Sequence, residues 1–124
     1  MHIGVDIEDI SRFKNKTVET SSEFLNRIFT QNELEYCFKY KDFACHLAAR
    51  YCAKEATVKA FSNIYHNLIP YNKIEILNNP NGSPYINLYI DELKEYSISV
   101  SLSHEREKAI AFVVVSKWKK SPPS

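Results

Sequence analysis

The sequence predicts an α+β fold, with an N-terminal strand and helices, including one long helix, followed by an antiparallel β-meander. Apolar and polar residues alternate through residues 2–10, which is typical of a strand. Residues 43–64 are rich in alanine and other helix-favouring residues. Beyond residue 74, short apolar segments are separated by turn residues, which indicates strands joined by tight turns. Helices followed by a run of strands are typical of the α+β class.

The first strand carries two alternating sets of side chains. The apolar set is Ile3, Val5 and Ile7, and it alternates with Gly4, Asp6 and Glu8. Successive side chains of a strand point to opposite faces of the sheet. If the apolar set faces the core, Asp6 therefore points to the other face. We expect Glu8 to be exposed.

The helical half begins directly after this strand. Residues 11–29 mix charged and apolar side chains and predict short helices. Thr30 and Glu33 have the spacing of a capping box, so a helix is expected from residue 31 to about residue 40. Asp42 is expected to cap the long helix over residues 43–64.

The C-terminal half is predicted to form four strands. The Asn81–Gly82 pair is a strong signal for a tight turn between the first two. The last strand is apolar throughout, and we expect it to be buried on both faces. The four predicted strands cover residues 74–77, 85–90, 98–103 and 109–115.

Length and composition predict a single domain over residues 1–118, with a frayed tail at 119–124. The chain has 124 residues, 44% of them hydrophobic, which is enough to build a core. Its 16 basic and 15 acidic residues give a net charge of +1, which argues against nucleic-acid binding by bulk charge. The longest apolar run, Ala109–Val115, is far shorter than the ~20 residues of a membrane span. The three cysteines fit no zinc motif, and we expect reduced, buried thiols in a cytoplasmic protein.

Asp6 and Glu55 are the candidate metal ligands, beside Lys59. Two carboxylates can hold a hard cation, and a nearby lysine suits a phosphate substrate. The chain has only two glycines, which excludes a glycine-rich phosphate loop, so side chains and a metal would have to hold any phosphate. An ordinary alternative exists for each residue: Glu55 and Lys59 have the spacing of a solvated surface pair, and Asp6 can be a polar residue of a half-buried strand.

Four segments that occur in one order resemble the holo-acyl-carrier-protein synthases, the short class of 4′-phosphopantetheinyl transferases. The start Gly4–Ile7 and the helical segment Arg50–Ala60 are specific for this family in combination. The resemblance covers residues 2–115. The segments are Gly4–Phe13, Arg50–Ala60, Asn81–Pro84 and Ser101–Glu105, the last followed by an apolar strand.

This resemblance implies Mg²⁺-dependent transfer of phosphopantetheine from coenzyme A to a serine of an acyl carrier protein, with release of adenosine 3′,5′-bisphosphate. It also implies a homotrimer with active sites between subunits. Asp6 and Glu55 match the metal ligands, and these two with Lys59 form the expected catalytic set. The expected coenzyme A-binding residues are Arg50, Lys59, Ser62, Gly82, Pro84 and His104, and the expected carrier-docking residues are Arg12, Lys14 and Arg27.

One segment departs from the family pattern. The segment after Ala60 contains no glycine, so Ser62 and Asn63 would have to supply the donors that a glycine loop offers.

The base for the carrier serine stays open between Glu55 and a metal-bound water. The alternative functions are an inactive or structural homologue within a larger synthase, and a metal-dependent hydrolase of the coenzyme A pyrophosphate. The sequence does not identify the carrier protein or its pathway.

Overall fold

The computed structural model describes residues 1–118, and the predicted frayed tail at 119–124 lies outside the described residues. Three helices lie between the first strand and the remaining four, so the predicted α+β class is confirmed. The helices are α1 (Val18–Ile28), α2 (Gln31–Cys37) and α3 (Phe43–Phe61). The strands are β1 (His2–Asp9), β2 (Ile74–Asn78), β3 (Pro84–Leu88), β4 (Tyr96–His104) and β5 (Lys108–Lys117). Single turns of 3₁₀ helix cover Ile10–Phe13, Tyr71–Lys73 and Asp91–Leu93.

Within residues 1–118 the five strands divide between two antiparallel sheets. β1 joins the C-terminal strands in a three-stranded sheet of order β1–β5–β4, while β2 and β3 form a separate hairpin. The turn of that hairpin contains Gly82 at φ 91°, a conformation that glycine adopts without a steric penalty. The 3₁₀ turn at Asp91–Leu93 separates the hairpin from β4.

The apolar side of β1 does not face the core of the single chain. Ile3, Val5 and Ile7 are 60%, 48% and 59% exposed in the single chain. The opposite face packs on α3, because Gly4 lets the helix backbone approach the strand. A Cβ added to Gly4 would lie 1.9 Å from the carbonyl oxygen of Ala56. The small-residue face of α3 therefore packs directly on β1.

The prediction that β5 is buried on both faces is wrong. Successive side chains of β5 point to opposite sides of the sheet, and only the side that carries Ala109, Ala111 and Val113 is fully covered. Ile110 and Phe112 on the other side are 40% and 44% exposed. In the sheet register Val5 lies opposite Phe112 and Ile7 opposite Ile110, so the exposed apolar residues of β1 and β5 form one surface.

The two predicted helix caps differ in outcome. The capping box of α2 is confirmed: Thr30 accepts a hydrogen bond from the Glu33 amide at 3.3 Å, and Glu33 accepts one from the Thr30 amide at 2.9 Å. Asp42 occupies the N-cap position of α3, but within residues 1–118 its carboxylate makes no capping hydrogen bond. It lies instead beside Cys45 and His46 of the first helical turn.

Candidate active site

The side chains of Asp6 and Lys59 meet where β1 crosses α3. Asp6 lies two residues beyond Gly4 on the same face of the strand, so the close approach at Gly4 brings it to the helix. The Lys59 ammonium donates to Asp6 Oδ1 at 3.0 Å and to the Val5 carbonyl at 3.1 Å. The Asp6 side chain is 13% exposed, while that of Lys59 is 53% exposed. The lysine can therefore leave the carboxylate for a ligand at small cost.

Glu55 lies one helical turn before Lys59 and is held by two tyrosines. Its Oε1 accepts hydrogen bonds from the Tyr51 hydroxyl at 3.1 Å and from the Tyr71 hydroxyl. Burial and the bond to Glu55 raise the pKa of Tyr71 above its ordinary value. Tyr71 therefore remains a donor at neutral pH and fixes the orientation of the carboxylate.

Glu8 is a third carboxylate at this site, and the prediction that it is exposed is wrong. Its side chain is 19% exposed and lies on the same face of β1 as Asp6. Burial raises the pKa of Glu8, and the negative charges of Asp6 and Glu55 raise it further. Arg12 opposes this effect through an ion pair with Glu8 at 3.4 Å. The alternation in β1 places Glu8 on the same face as Asp6. This alternation was the signal in the sequence that Glu8 belongs to the site.

One oxygen of Asp6 tests whether a cation fits here. Asp6 Oδ2 is buried and has no hydrogen-bond partner within residues 1–118. Leaving a buried carboxylate oxygen unpaired is unfavourable, so the position calls for a cation or a water. Carboxylate oxygens are the ligands that Mg²⁺ prefers. Asp6 therefore fits a magnesium ion, and Glu55 as a second ligand stays a prediction.

The family model of the 4′-phosphopantetheinyl transferase superfamily matches residues 2–113. The chain belongs to this superfamily. The matched range contains Asp6, Glu55 and Lys59, and it covers most of the described residues.

Relatives of the chain within this superfamily are holo-acyl-carrier-protein synthases. One from Aquifex aeolicus is 40% identical over 93% of this chain and 98% of its own length. One from Dehalococcoides mccartyi is 46% identical, with 92% and 97% covered. The prediction of a phosphopantetheinyl transferase of the holo-acyl-carrier-protein synthase type is confirmed.

Solved structures of such synthases have the same fold. The synthase of Helicobacter pylori, in complex with coenzyme A, superposes with a TM-score of 0.79 at 32% identity, covering 92% of this chain and 99% of that one. A synthase of Bacillus anthracis in complex with coenzyme A (3′,5′-ADP) gives a TM-score of 0.78 at 28% identity, with 94% and 96% covered.

Arg50, a predicted coenzyme-binding residue of this transferase, supports the hairpin within the single chain. It is 3% exposed, donates to Asn78 Oδ1 at 2.6 Å and stacks on the ring of Tyr36. Asn78 in turn donates to the Gly82 carbonyl at 3.0 Å. Arg50 thus fixes the turn that carries Gly82 and leads to Pro84, and its own contact with the coenzyme stays a prediction.

The remaining predicted residues make no hydrogen bond or ion pair with Asp6 within residues 1–118. His104 ends β4 and lines a cleft of about 590 Å³ together with Lys14 and two further cations, Lys41 and Arg106. Ser62 Oγ donates to the Lys59 carbonyl at 2.8 Å and so closes the end of α3. Arg27 lies in the last turn of α1 and is exposed.

No helix within residues 1–118 has the length and apolar character that crossing a membrane requires.

Proposed function

We propose that the chain transfers the phosphopantetheine arm of coenzyme A to a serine of an apo acyl carrier protein and releases adenosine 3′,5′-bisphosphate. The observation that carries the proposal is the buried Oδ2 of Asp6, which has no hydrogen-bond partner within residues 1–118. Asp6 also contacts Lys59, which lies one turn after Glu55 on the same face of α3. The coenzyme A complex of the Helicobacter pylori synthase supports the choice of donor. The carrier protein and its pathway are not identified by these observations.

Asp6 and Glu55 would hold Mg²⁺. When bound, the ion would neutralise the charge of the pyrophosphate and polarise the phosphorus that is attacked. Glu8 adds a third negative charge beside Asp6 and Glu55. The positive charge of Arg12 compensates part of it through the Arg12–Glu8 ion pair.

The side chains of this site suit an in-line displacement. The serine Oγ forms a bond to the phosphorus that carries the pantetheine arm, and the bridging P–O bond of the pyrophosphate breaks. Glu55, whose carboxylate is held by Tyr51 and Tyr71, would accept the serine proton directly or through a water. Lys59 is exposed enough to turn towards the leaving phosphate and stabilise its charge.

We also propose that the active molecule is a homotrimer with active sites between subunits. The exposed apolar residues of β1 and β5 support self-association, because a monomer seldom leaves such a surface in water. The hairpin turn at Gly82–Pro84 and His104 would then reach the coenzyme of an adjoining copy. The members of the apolar surface are Ile3, Val5, Ile7, Ile110 and Phe112.

The basic residues Arg12, Lys14 and Arg27 are proposed to meet the carrier protein. Opposite charges on two docking surfaces raise the association rate and align the partners. All three residues are exposed, although Arg12 is partly neutralised by Glu8. A cytoplasmic location stays a prediction.

Incubation with coenzyme A, Mg²⁺ and an apo carrier protein tests the function, and mass spectrometry of the carrier provides the readout. We expect the carrier to gain one phosphopantetheine group. Asp6→Asn and Glu55→Gln should abolish this gain while the melting temperature stays close to that of the parent protein. The matched control is Glu92→Gln, which changes an exposed carboxylate in the Asp91–Leu93 turn.

Two other outcomes would overturn the proposal. Breakdown of coenzyme A without a gain of mass by the carrier would identify a pyrophosphate hydrolase. No reaction with any of a panel of carriers, together with no binding of coenzyme A, would identify an inactive homologue. Near-normal transfer by either carboxamide variant would refute the metal assignment.

A further inference from the structure

The first turn of α3 brings together three side chains that commonly bind transition metals. Asp42 is at the N-cap, and Cys45 and His46 follow at positions i+3 and i+4, so all three lie on one side of the helix. One ligand atom of each lies within 4.8 Å of the other two. This cluster contains none of the three residues proposed to be catalytic, Asp6, Glu55 and Lys59.

The separations between these atoms are close to those of a metal site. Cys45 Sγ lies 3.4 Å from Asp42 Oδ2, and His46 Nε2 lies 3.9 Å from Asp42 Oδ1. In a tetrahedral zinc site with bonds of about 2.0–2.3 Å, neighbouring ligand atoms lie about 3.3–3.8 Å apart. Because the two separations involve different oxygens of Asp42, an ion bound to one of these oxygens would require the carboxylate to rotate along with the other two side chains.

The surrounding structure orients two of the three ligands. The ring of His46 stacks on Tyr40 with centroids 4.1 Å apart and meets the edge of Tyr36 at 5.6 Å. Cys45 is 7% exposed, so packing fixes its direction. Such support lowers the cost of arranging ligands around an ion.

Asp42 completes the cluster because its carboxylate is not used by the helix. Within residues 1–118 it makes no capping hydrogen bond, although aspartate at this position commonly does. Its side chain is 74% exposed, which leaves a path for an ion and for a water as fourth ligand.

We propose that Asp42, Cys45 and His46 form a site for Zn²⁺ or a similar borderline divalent cation. A thiolate and an imidazole favour such ions over Mg²⁺, which prefers oxygen ligands. On binding, the Cys45 thiol loses its proton to solvent and the sulfur forms a bond to the metal. Asp42 and Cys45 also line the cleft of His104, so the ion would lie at the edge of that cleft.

Titration of the metal-free chain with Co²⁺ in excess Mg²⁺ tests this site, because a bound thiolate gives Co²⁺ a charge-transfer band in the near ultraviolet. We expect one equivalent of Co²⁺ per chain with this band, displaced by one equivalent of Zn²⁺ and accompanied by proton release. Cys45→Ser should abolish the band. His46→Gln should weaken binding by about tenfold or more. The matched control is His66→Gln, an exposed histidine outside the cluster, which should leave binding unchanged.

Two results would overturn the proposal: the absence of a thiolate band in the parent protein, and an equal band in Cys45→Ser. If Cys45→Ser does not fold, alkylation of the parent protein replaces it. Zn²⁺ should then slow the reaction of Cys45 with iodoacetamide at least about tenfold, and an unchanged rate would refute the site.

Discussion

The buried ion pair of Lys54 and Glu33 gives the sharpest prediction about stability. Both side chains are 0% exposed, and Lys54 Nζ lies 2.7 Å from Glu33 Oε1. The same ammonium donates to the carbonyl of Tyr71 at 2.9 Å and to the carbonyl of Ile74. The pair therefore joins α2, α3 and the segment that leads into β2.

Replacing Lys54 with methionine should destabilise the fold strongly. The variant leaves the Glu33 carboxylate in the core with only its backbone donors, the amides of Thr30 at 2.9 Å and Ile76 at 3.0 Å. Removing one partner of a buried ion pair costs about 3–5 kcal/mol. That loss is a large part of the roughly 5–15 kcal/mol that stabilises a typical domain. The carbonyl of Tyr71 also loses a donor, so transfer activity should fall as Glu55 loses its fixed position.

Urea denaturation followed by circular dichroism measures this loss. The double variant Lys54→Met/Glu33→Gln is the informative control, because it removes both charges and keeps an acceptor for a backbone amide. We expect it to be more stable than Lys54→Met alone by about 1 kcal/mol or more. A single variant that loses less than about 1 kcal/mol, or a double variant that is less stable than the single one, would refute the reasoning.

Three further predictions follow from the packing and the charges. Gly4→Ala should force β1 away from α3, because the new methyl group would overlap the Ala56 carbonyl, and a loss of about 1–3 kcal/mol or more in urea melts is expected; an unchanged midpoint would contradict the close approach. Burial favours a raised pKa for Glu75, but hydrogen bonds from three side chains outweigh it and lower the pKa. The ionised carboxylate therefore stabilises the fold above a pH of about 4.3, and this contribution is lost as the pH falls through the folded-state pKa. The deficit in stability of Glu75→Gln should be largest near neutral pH and shrink on acidification, and a deficit that does not change with pH would contradict this. Ile7→Glu should convert the oligomer to monomers in sedimentation velocity, and a parent protein that is already monomeric would contradict the proposed interface.

Local signals in the sequence predicted the secondary structure well. The capping box of Thr30 and Glu33, the turn at Gly82 and the alternation in β1 each depend on neighbouring residues only. The choice of the buried face of β1 depends on a contact that is distant in sequence. Alternation shows which side chains share a face, but hydrophobicity alone selected the wrong one. The close packing of Gly4 on Ala56 decided it.

The candidate site shows the same division between local and tertiary information. Resemblance in sequence pointed to Asp6, Glu55 and Lys59, and the structure brings Lys59 into contact with Asp6. Glu8 was assigned to solvent because nothing in the sequence showed that α3 covers this face. The full burial of Lys54 is hidden from local sequence patterns for a related reason: its ion pair with Glu33 makes burial tolerable, and that partner is 21 residues away in the chain.

A crystal structure with coenzyme A and Mn²⁺ in place of Mg²⁺ tests the proposed metal site most directly, through anomalous scattering from the manganese. We expect one anomalous peak at coordination distance from a carboxylate oxygen of Asp6, from Glu55 and from the pyrophosphate. Lys59 should have moved from Asp6 to a phosphate oxygen. A bound coenzyme with no anomalous peak at these two carboxylates would contradict the proposed metal-assisted transfer.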